Sequence, residues 1–213
     1  MNDFTMPLLL DLDVVSLTMS LVNIPSATGA AGGLADSIEE ALTPVAHLSV
    51  ERIGDTVVVR TLQRGDAAER VLVAGRIDTV GGDSESFAYV EMGKLFGTGA
   101  CDPKGGLAVL LKAATATYDR DVTYVLYDGA EGDLRHGLTA LADTRPDLLA
   151  VDLAVLLEPT AASWSDVATL ASSGIPTAAF GPGDPSLAHS PDEFVPTAEL
   201  TQCEHVLRTW LAN

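Results

Sequence analysis

The stretch RVLVAGRID, residues 70–78, joins a short aliphatic run to a charged end. An aliphatic run without polar alternation is typical of a strand that is buried on both faces of a parallel sheet. Similar apolar runs occur at residues 122–127, 153–157 and 176–180, and segments with helical spacing separate them. This alternation predicts an α/β fold, a three-layer αβα sandwich with a mostly parallel mixed sheet.

The remaining segments carry helix and hairpin patterns. Helices are predicted at residues 12–22, 33–42, 103–118, 134–142, 165–172 and 197–211. Hairpins are predicted for 48–52 with 56–62 and for 87–90 with 94–96, because Gly54-Asp55 and Met92-Gly93 suit tight turns. The sequence contains no repeat, low-complexity tract or clear linker, so we expect residues 1–213 to form a single domain.

The charge and cysteine content narrow the classes of partner. The formal net charge of −18 disfavours nucleic acid and anionic membrane surfaces as partners. Cys101 and Cys203 do not make a disulfide framework, and residues 1–13 lack the basic start of a signal peptide. We therefore expect a reduced, cytoplasmic protein, either a monomer or a new homo-oligomer, with a small molecule or a metal as its ligand.

Acidic side chains follow the predicted strands. Asp78, Glu131 and Glu158 come shortly after strands, and Asp102 stands at the start of a predicted helix. His189 lies in the loop between the last strand and the last helix. Because sites in such sheets form outside the carboxyl ends of the strands, we expect these side chains to converge. Carboxylates and an imidazole suit zinc or a similar ion, so this edge is a candidate metal site.

Several of these residues also have structural interpretations. Asp102 is a favoured type of N-cap for the helix that follows it, and His189 could be an ordinary loop residue. Glu158 ends an apolar strand and therefore needs a metal or an ion-pair partner. Gly105-Gly106 in a first helical turn indicates that something approaches the backbone closely, whereas Lys104 is expected to be solvated.

Five ordered motifs resemble the co-catalytic zinc aminoacylase and deacylase family, especially its succinyl-diaminopimelate desuccinylases and acetylornithine deacetylases. In chain order the motifs are Ala74-Gly75-Arg76-Ile77-Asp78-Thr79-Val80, GTGACDPKGG at 97–106, YDGAE at 127–131, Glu158-Pro159-Thr160 and FGPGDPSLAH at 180–189. The resemblance extends from about Leu12 to the C-terminus. It implies a zinc-exopeptidase-like catalytic domain, with metal-dependent amide hydrolysis of N-acyl amino acids as the family activity.

The resemblance also implies roles for the acidic residues. Asp102 matches the carboxylate that bridges the two zinc ions of the family. Glu158 matches a ligand of the first zinc, whereas Glu131 and His189 match ligands of the second.

Two positions depart from this pattern. The family has a histidine ligand two residues before Asp78, and here that position is Arg76, which cannot bind zinc. The family's general base precedes the Glu131 position, and here it is Ala130. No catalytic residue is therefore predicted, and Arg76 is expected to pair with Asp102 or Glu158.

A third departure is internal. In the family a lid and dimerisation domain follows the Glu-Pro-Thr motif, but here only residues 161–163 separate Thr160 from Trp164, where the catalytic domain resumes. We therefore predict an engineered or degenerate lid-less desuccinylase-like domain, a pseudoenzyme without the family's amide hydrolysis. One alternative is a residual single-zinc hydrolase that uses Asp102, Glu131 and His189. Another is a self-associating scaffold or interaction module.

Overall fold

The computed structural model describes residues 7–62, 69–80, 87–129, 137–159 and 164–213. Six helices are present in these ranges: α1 (Val14–Val22), α2 (Gly32–Leu42), α3 (Lys104–Ala114), α4 (Gly137–Thr144), α5 (Trp164–Ser172) and α6 (Thr197–Leu211). The strands are β1 (Leu48–Ile53), β2 (Thr56–Thr61), β3 (Arg70–Arg76), β4 (Tyr89–Glu91), β5 (Lys94–Phe96), β6 (Asp121–Tyr127), β7 (Leu153–Leu156), β8 (Thr177–Ala179) and β9 (Phe194–Pro196). None of the described helices is long and apolar enough to cross a membrane.

The main sheet has six strands in the order β1-β2-β6-β3-β7-β8. Strands β6, β3, β7 and β8 are parallel to one another. Strands β1 and β2 form an antiparallel hairpin, and β2 pairs with β6 in the antiparallel direction. This confirms the predicted α/β class with a mostly parallel mixed sheet. The carboxyl ends of the four parallel strands therefore share one edge.

Both faces of the sheet are covered, which explains the unbroken apolar sequence of β3. Val71 and Val73 pack into a core cluster with residues of α1, α2, α3 and α6. Leu72 and Ala74 alternate with them and pack into a second cluster with residues of α4 and α5. Each successive side chain of β3 thus enters one of two helical layers.

The helix α3 differs from its prediction at both ends. It runs from Lys104 to Ala114 rather than from residue 103 to 118, and the residue at its N-cap is Pro103. The prediction that Asp102 caps this helix is wrong, because no side chain makes the cap hydrogen bond. The Asp102 carboxylate is instead held by a buried arginine, as described below.

The small sheet contains one strand that the sequence did not reveal. The predicted hairpin β4-β5 is present, and β9 pairs with β5 as its third strand. Three residues with Pro196 at the end give too short and too weak a pattern to predict a strand. The predicted helix at 134–142 is observed as α4 from Gly137, and its first three predicted residues lie outside the described ranges.

The close approach predicted from Gly105-Gly106 is confirmed. A Cβ atom on Gly106 would lie 2.0 Å from the carbonyl oxygen of Leu157, which follows β7. A Cβ atom on Gly105 would lie 2.7 Å from the carbonyl oxygen of Ala100. The glycines therefore let the first turn of α3 contact the backbone at the end of β7.

Replacing Gly106 with alanine tests this contact. We expect Gly106→Ala to lower the free energy of unfolding by roughly 3 kcal/mol, because the methyl group can be accommodated only by moving backbone. Urea denaturation followed by circular dichroism measures the change. Gly33→Ala in the first turn of α2 is the matched control, since nothing lies within 4 Å of its Cβ position; it should be neutral or stabilising by up to about 1 kcal/mol. Equal effects of the two variants would contradict the prediction.

Candidate functional site

The carboxyl-end edge of the parallel strands brings most of the predicted site residues together. Arg76 is the last residue of β3, and Glu158 follows β7 by two residues. Asp102 precedes α3, and His189 lies in the loop before β9. Glu131, the remaining predicted ligand, and its neighbour Ala130 lie outside the described residues.

Arg76 is at the centre of the site, between two carboxylates. Its Nη2 donates to both carboxylate oxygens of Asp102 at 2.9 and 3.0 Å. Its Nε donates to Oε1 of Glu158 at 3.0 Å. The side chains of Arg76, Asp102 and Glu158 are 4%, 1% and 0% exposed, so this three-residue ion pair is buried. The sequence predicted a pair with either carboxylate, and the arginine pairs with both.

Electrostatics keep the arginine charged. Burial alone would lower the pKa of Arg76, but the negative charges of Glu158 and Asp102 raise it overall. Breaking such a pair from one side is costly, because it leaves buried charges without a partner. The guanidinium is therefore a fixed positive charge at the position where the resemblance implies a metal ion.

Glu158 connects this ion pair to Tyr127 and Asp166, neither of which is among the predicted site residues. The hydroxyl of Tyr127 donates to Oδ2 of Asp166 at 2.6 Å and lies 3.3 Å from Oε1 of Glu158. Burial raises the pKa of Glu158 to about 7, although the Arg76 charge acts in the opposite direction. Its other oxygen, Oε2, is buried and has no hydrogen-bond partner among the described residues. This carboxylate is therefore less well compensated than Asp102.

His189 is close to Asp102 but is not firmly bonded to it. Its Nε2 lies 3.5 Å from Oδ2 of Asp102, beyond the usual length of a hydrogen bond, and one third of its side chain is exposed. Its φ of 62° places a non-glycine residue in the left-handed region. The structure thus brings His189 to the opening of the site, as the sequence predicts.

Asp78 is a structural tie. Its Oδ2 accepts from the Thr28 hydroxyl at 2.8 Å, and its Oδ1 accepts from the backbone N–H of Gly129 at 3.2 Å. The aspartate is buried, so these bonds compensate for its removal from water. It joins the loop after α1 to the ends of β3 and β6, beside the site.

Glu193 is the main site residue that sequence reasoning missed. Its carboxylate accepts from the backbone N–H groups of Gly99, Cys101 and Asp102 at 3.0, 2.9 and 3.0 Å. Burial raises the pKa of Glu193, and these three hydrogen bonds lower it in part. Its backbone partners are 91 to 94 residues away along the chain, so the sequence contains no local signal for it.

Two neighbours of Asp102 are also buried. The prediction that Lys104 is solvated is wrong, because its side chain folds inward and Nζ donates to the carbonyl oxygen of Ile24 at 2.7 Å. Burial lowers the pKa of Lys104 to about 8. Burial also raises the pKa of Cys101 to about 12, which keeps its thiol protonated and unsuited to act as a nucleophile.

The arrangement does not fit the two-metal site that the resemblance implies. Arg76 bonds to Asp102 and Glu158 directly and fills the position between them. Among the described residues, no group of three His, Cys, Asp or Glu side chains is placed to hold a metal ion. The second predicted set, Asp102, Glu131 and His189, lies only partly within the described ranges.

Comparisons with known proteins give clear relatives in sequence. No protein-family model matches the chain. It is 42% identical over 156 residues to the succinyl-diaminopimelate desuccinylase of Corynebacterium glutamicum, an alignment that covers 70% of this chain and 42% of that protein. It is 38% identical over 153 residues to a putative succinyl-diaminopimelate desuccinylase of Mycobacterium tuberculosis, covering 70% of this chain and 43% of the relative. The chain thus spans less than half the length of these curated relatives.

Solved structures show the same fold at low sequence identity. A putative peptidase/endoglucanase superposes with a TM-score of 0.72 at 11% identity, covering 95% of this chain and 99% of that one. A tripeptidase from Staphylococcus aureus gives a TM-score of 0.58 at 19% identity, covering 70% of this chain and 43% of that one. The first of these shows that a solved chain matches this fold over nearly its full length.

Removing the central cation tests the energetic role of Arg76. We expect Arg76→Met to lower the free energy of unfolding by roughly 3–5 kcal/mol, because it leaves two buried carboxylates without their shared partner. Urea denaturation at neutral pH measures this. Arg52→Met is the matched control, since Arg52 contacts three carboxylates at the surface of the protein. The loss of these contacts should lower the free energy of unfolding by no more than about 1 kcal/mol. Similar losses in the two variants would show that burial adds nothing.

The lowered pKa of Lys104 predicts that the stability of the protein depends on pH above about pH 8. The unfolded chain holds this proton up to about pH 10.5 and the folded chain only up to about pH 8, so the unfolded state binds more protons in between. The Lys104 contribution to stability should therefore rise as the pH rises from about 8 to about 10.5. Denaturation of the wild type and Lys104→Met at pH 7 and pH 9.5 checks this. The wild type should gain stability relative to the variant at the higher pH, and a constant difference would contradict the assignment.

Proposed function

Because this chain belongs to the succinyl-diaminopimelate desuccinylase family, we propose that it is a lid-less catalytic-type domain in which an arginine-centred ion pair replaces the metal site. It retains the fold and the acidic site residues of the family but does not hydrolyse N-acyl amino acids by a metal-dependent route. The proposal covers an engineered origin and a degenerate natural one equally, because both leave the same residues.

One observation carries the proposal, the position of the Arg76 guanidinium. It donates to Asp102 and Glu158 at 2.9 to 3.0 Å in a buried environment. A cation of charge +1 thus lies between carboxylates that would otherwise repel each other, and a guanidinium, unlike a metal ion, offers no coordination position to water or substrate. A metal would have to displace a side chain that is charged, bonded and enclosed.

The residue before Glu131 supports the same conclusion from the sequence. The resemblance assigns the general base to this position, and alanine has no group that can accept a proton. Loss of general-base catalysis alone typically costs a factor of about 10² to 10⁴ in rate. The loss of a ligand position and the loss of the base are separate changes, and each acts against the family reaction.

The short connection between Thr160 and Trp164 is the third support. Three residues stand where the resemblance implies a lid and dimerisation domain. The relatives' greater length, of which this chain spans 42% and 43%, agrees with the absence of a large segment. We propose that groups supplied by that segment to bind substrate and stabilise the transition state are missing here.

A residual single-zinc hydrolase is the second candidate, and the proximity of His189 to Asp102 favours it. An imidazole nitrogen 3.5 Å from a carboxylate oxygen could share an ion with it after a small movement. A third candidate, self-association, draws on the exposed side chains of Phe87, Tyr89, Val90 and Met92. Zinc content, activity and light scattering separate the three candidates.

The test is equilibrium dialysis against zinc, followed by elemental analysis and an assay with N-succinyl-diaminopimelate. We expect the wild type to retain far less than one zinc per chain and to show no measurable hydrolysis. Arg76→His, which removes the guanidinium and supplies an imidazole, should gain zinc, because the carboxylates then lack their internal cation.

His189→Ala is the control for the second candidate. If the wild type holds one zinc per chain and loses it in His189→Ala, the single-zinc hydrolase is favoured and the proposal of a metal-free site fails. Light scattering on the same samples should give the mass of a monomer. A concentration-dependent increase would instead favour the self-associating scaffold.

A further inference from the structure

Glu193 links the two segments that carry Asp102 and His189. Its carboxylate accepts three backbone N–H groups from residues 99–102, and its own carbonyl oxygen accepts from the N–H of Gly97 at 3.1 Å. On the other side, its backbone N–H donates to the carbonyl oxygen of Ser190 at 3.2 Å, one residue after His189. One residue therefore bonds the loop before α3 at four points and the His189 loop at one.

Both oxygens of the Glu193 carboxylate accept hydrogen bonds, and these bonds restrict the backbone of residues 99–102. Oε1 accepts from both Cys101 and Asp102, and Oε2 accepts from Gly99. Three N–H groups that converge on one carboxylate leave little freedom for the backbone between them, because charge-assisted hydrogen bonds are short and directional. The Cα atom of Asp102 is therefore held relative to the 189–193 loop.

The Glu193 carboxylate is buried, so its removal from water has a cost in free energy that its interactions must offset. Glu193 is 2% exposed, and its carboxylate interacts electrostatically with the buried ammonium group of Lys104. The three hydrogen bonds to this carboxylate come from backbone N–H groups, and a buried carboxylate bonded in this way is unfavourable unless those groups are fixed in place. A role in the geometry of the loop accounts for a charge at this position, where an apolar side chain could fill the volume.

We propose that Glu193 is the positioning residue of the site: it aligns the Asp102 carboxylate with Arg76 and sets the distance between Asp102 and His189. The backbone N–H of Asp102 is hydrogen-bonded to the Glu193 carboxylate. His189 and Glu193 lie in the same loop. The proposal concerns how the site is held, so it stands or falls independently of whether the site binds a metal or hydrolyses an amide.

The experiment compares Glu193→Gln with Asp121→Asn by NMR spectroscopy. Gln has the size of Glu but replaces one acceptor oxygen with an amide that cannot accept from an N–H group. Asp121 is the matched control, because it is equally buried, pairs with Arg70 at 3.2 Å, and begins β6 at the opposite end of the strand from the site. Both variants lose one buried charge, so both should lower thermal stability.

Only Glu193→Gln should alter the site itself. We expect solvent exchange of the Arg76 Nε–H to become at least about tenfold faster and the His189 ring signals to shift, because the Asp102 carboxylate is no longer aligned. In Asp121→Asn these signals should remain as in the wild type. If both variants lose stability and neither changes the Arg76 and His189 signals, Glu193 has a merely structural role and the proposal is overturned.

A measurement on the wild type decides the question if Glu193→Gln does not fold. Amide hydrogen exchange should show that the N–H groups of Gly99, Cys101 and Asp102 are protected like those of β3 and β6, although they lie in a loop. Exchange at the rate of exposed loops would show that the Glu193 hydrogen bonds do not persist in solution, and would overturn the proposal.

Discussion

The site depends on the buried guanidinium of Arg76. Arg76 reaches the carboxyl-end edge of the sheet on β3 and bonds to Asp102 on one side and to Glu158 on the other. These bonds compensate in part for the burial of the two carboxylates, because the cost of removing an isolated charge from water is far larger than that of removing a paired group. A side chain of the protein itself thus supplies the positive charge that these two buried carboxylates share.

The ion pair also joins the two helical layers around the sheet. Asp102 leads into α3, which packs into the larger core cluster on one face. Glu158 contacts Tyr127, whose hydroxyl bonds to Asp166 on α5, over the other face. Polar groups are costly to enclose, and here they are concentrated at the sheet edge, where strand ends and loops supply partners that the strand interiors cannot. Oε2 of Glu158 is the exception, since no residue within the described ranges donates a hydrogen bond to it.

The sequence predicted the sheet and the placement of the site well, because those features have local signals. Strand β3 is an uninterrupted aliphatic run, and the helix at 197–211 has the predicted limits. The pairing of Arg76 with Asp102 or Glu158 was predicted from its charge together with the position that the family resemblance implies for it. The role of Glu193 could not be predicted, since its partners are more than 90 residues away and nothing near it in the chain differs from an ordinary acidic loop. The prediction that Lys104 is solvated is wrong for a related reason. Lysines in a first helical turn are usually solvated, and only folding brings the Ile24 carbonyl oxygen next to the Lys104 ammonium group.

The contact between Gly106 and the Leu157 carbonyl has a consequence for the chemistry of the site. Asp102 lies four residues before Gly106, and Glu158 directly follows Leu157. The two carboxylates therefore belong to segments whose backbones are in contact. This contact limits how far apart the backbones that carry the two carboxylates can move, and the hydrogen bond from the Asp102 N–H to Glu193 restricts one of these segments further. Arg76 bridges the two carboxylates across the space between these segments. Main-chain contact and one guanidinium therefore act together to keep two acidic side chains close to each other in the interior of the protein.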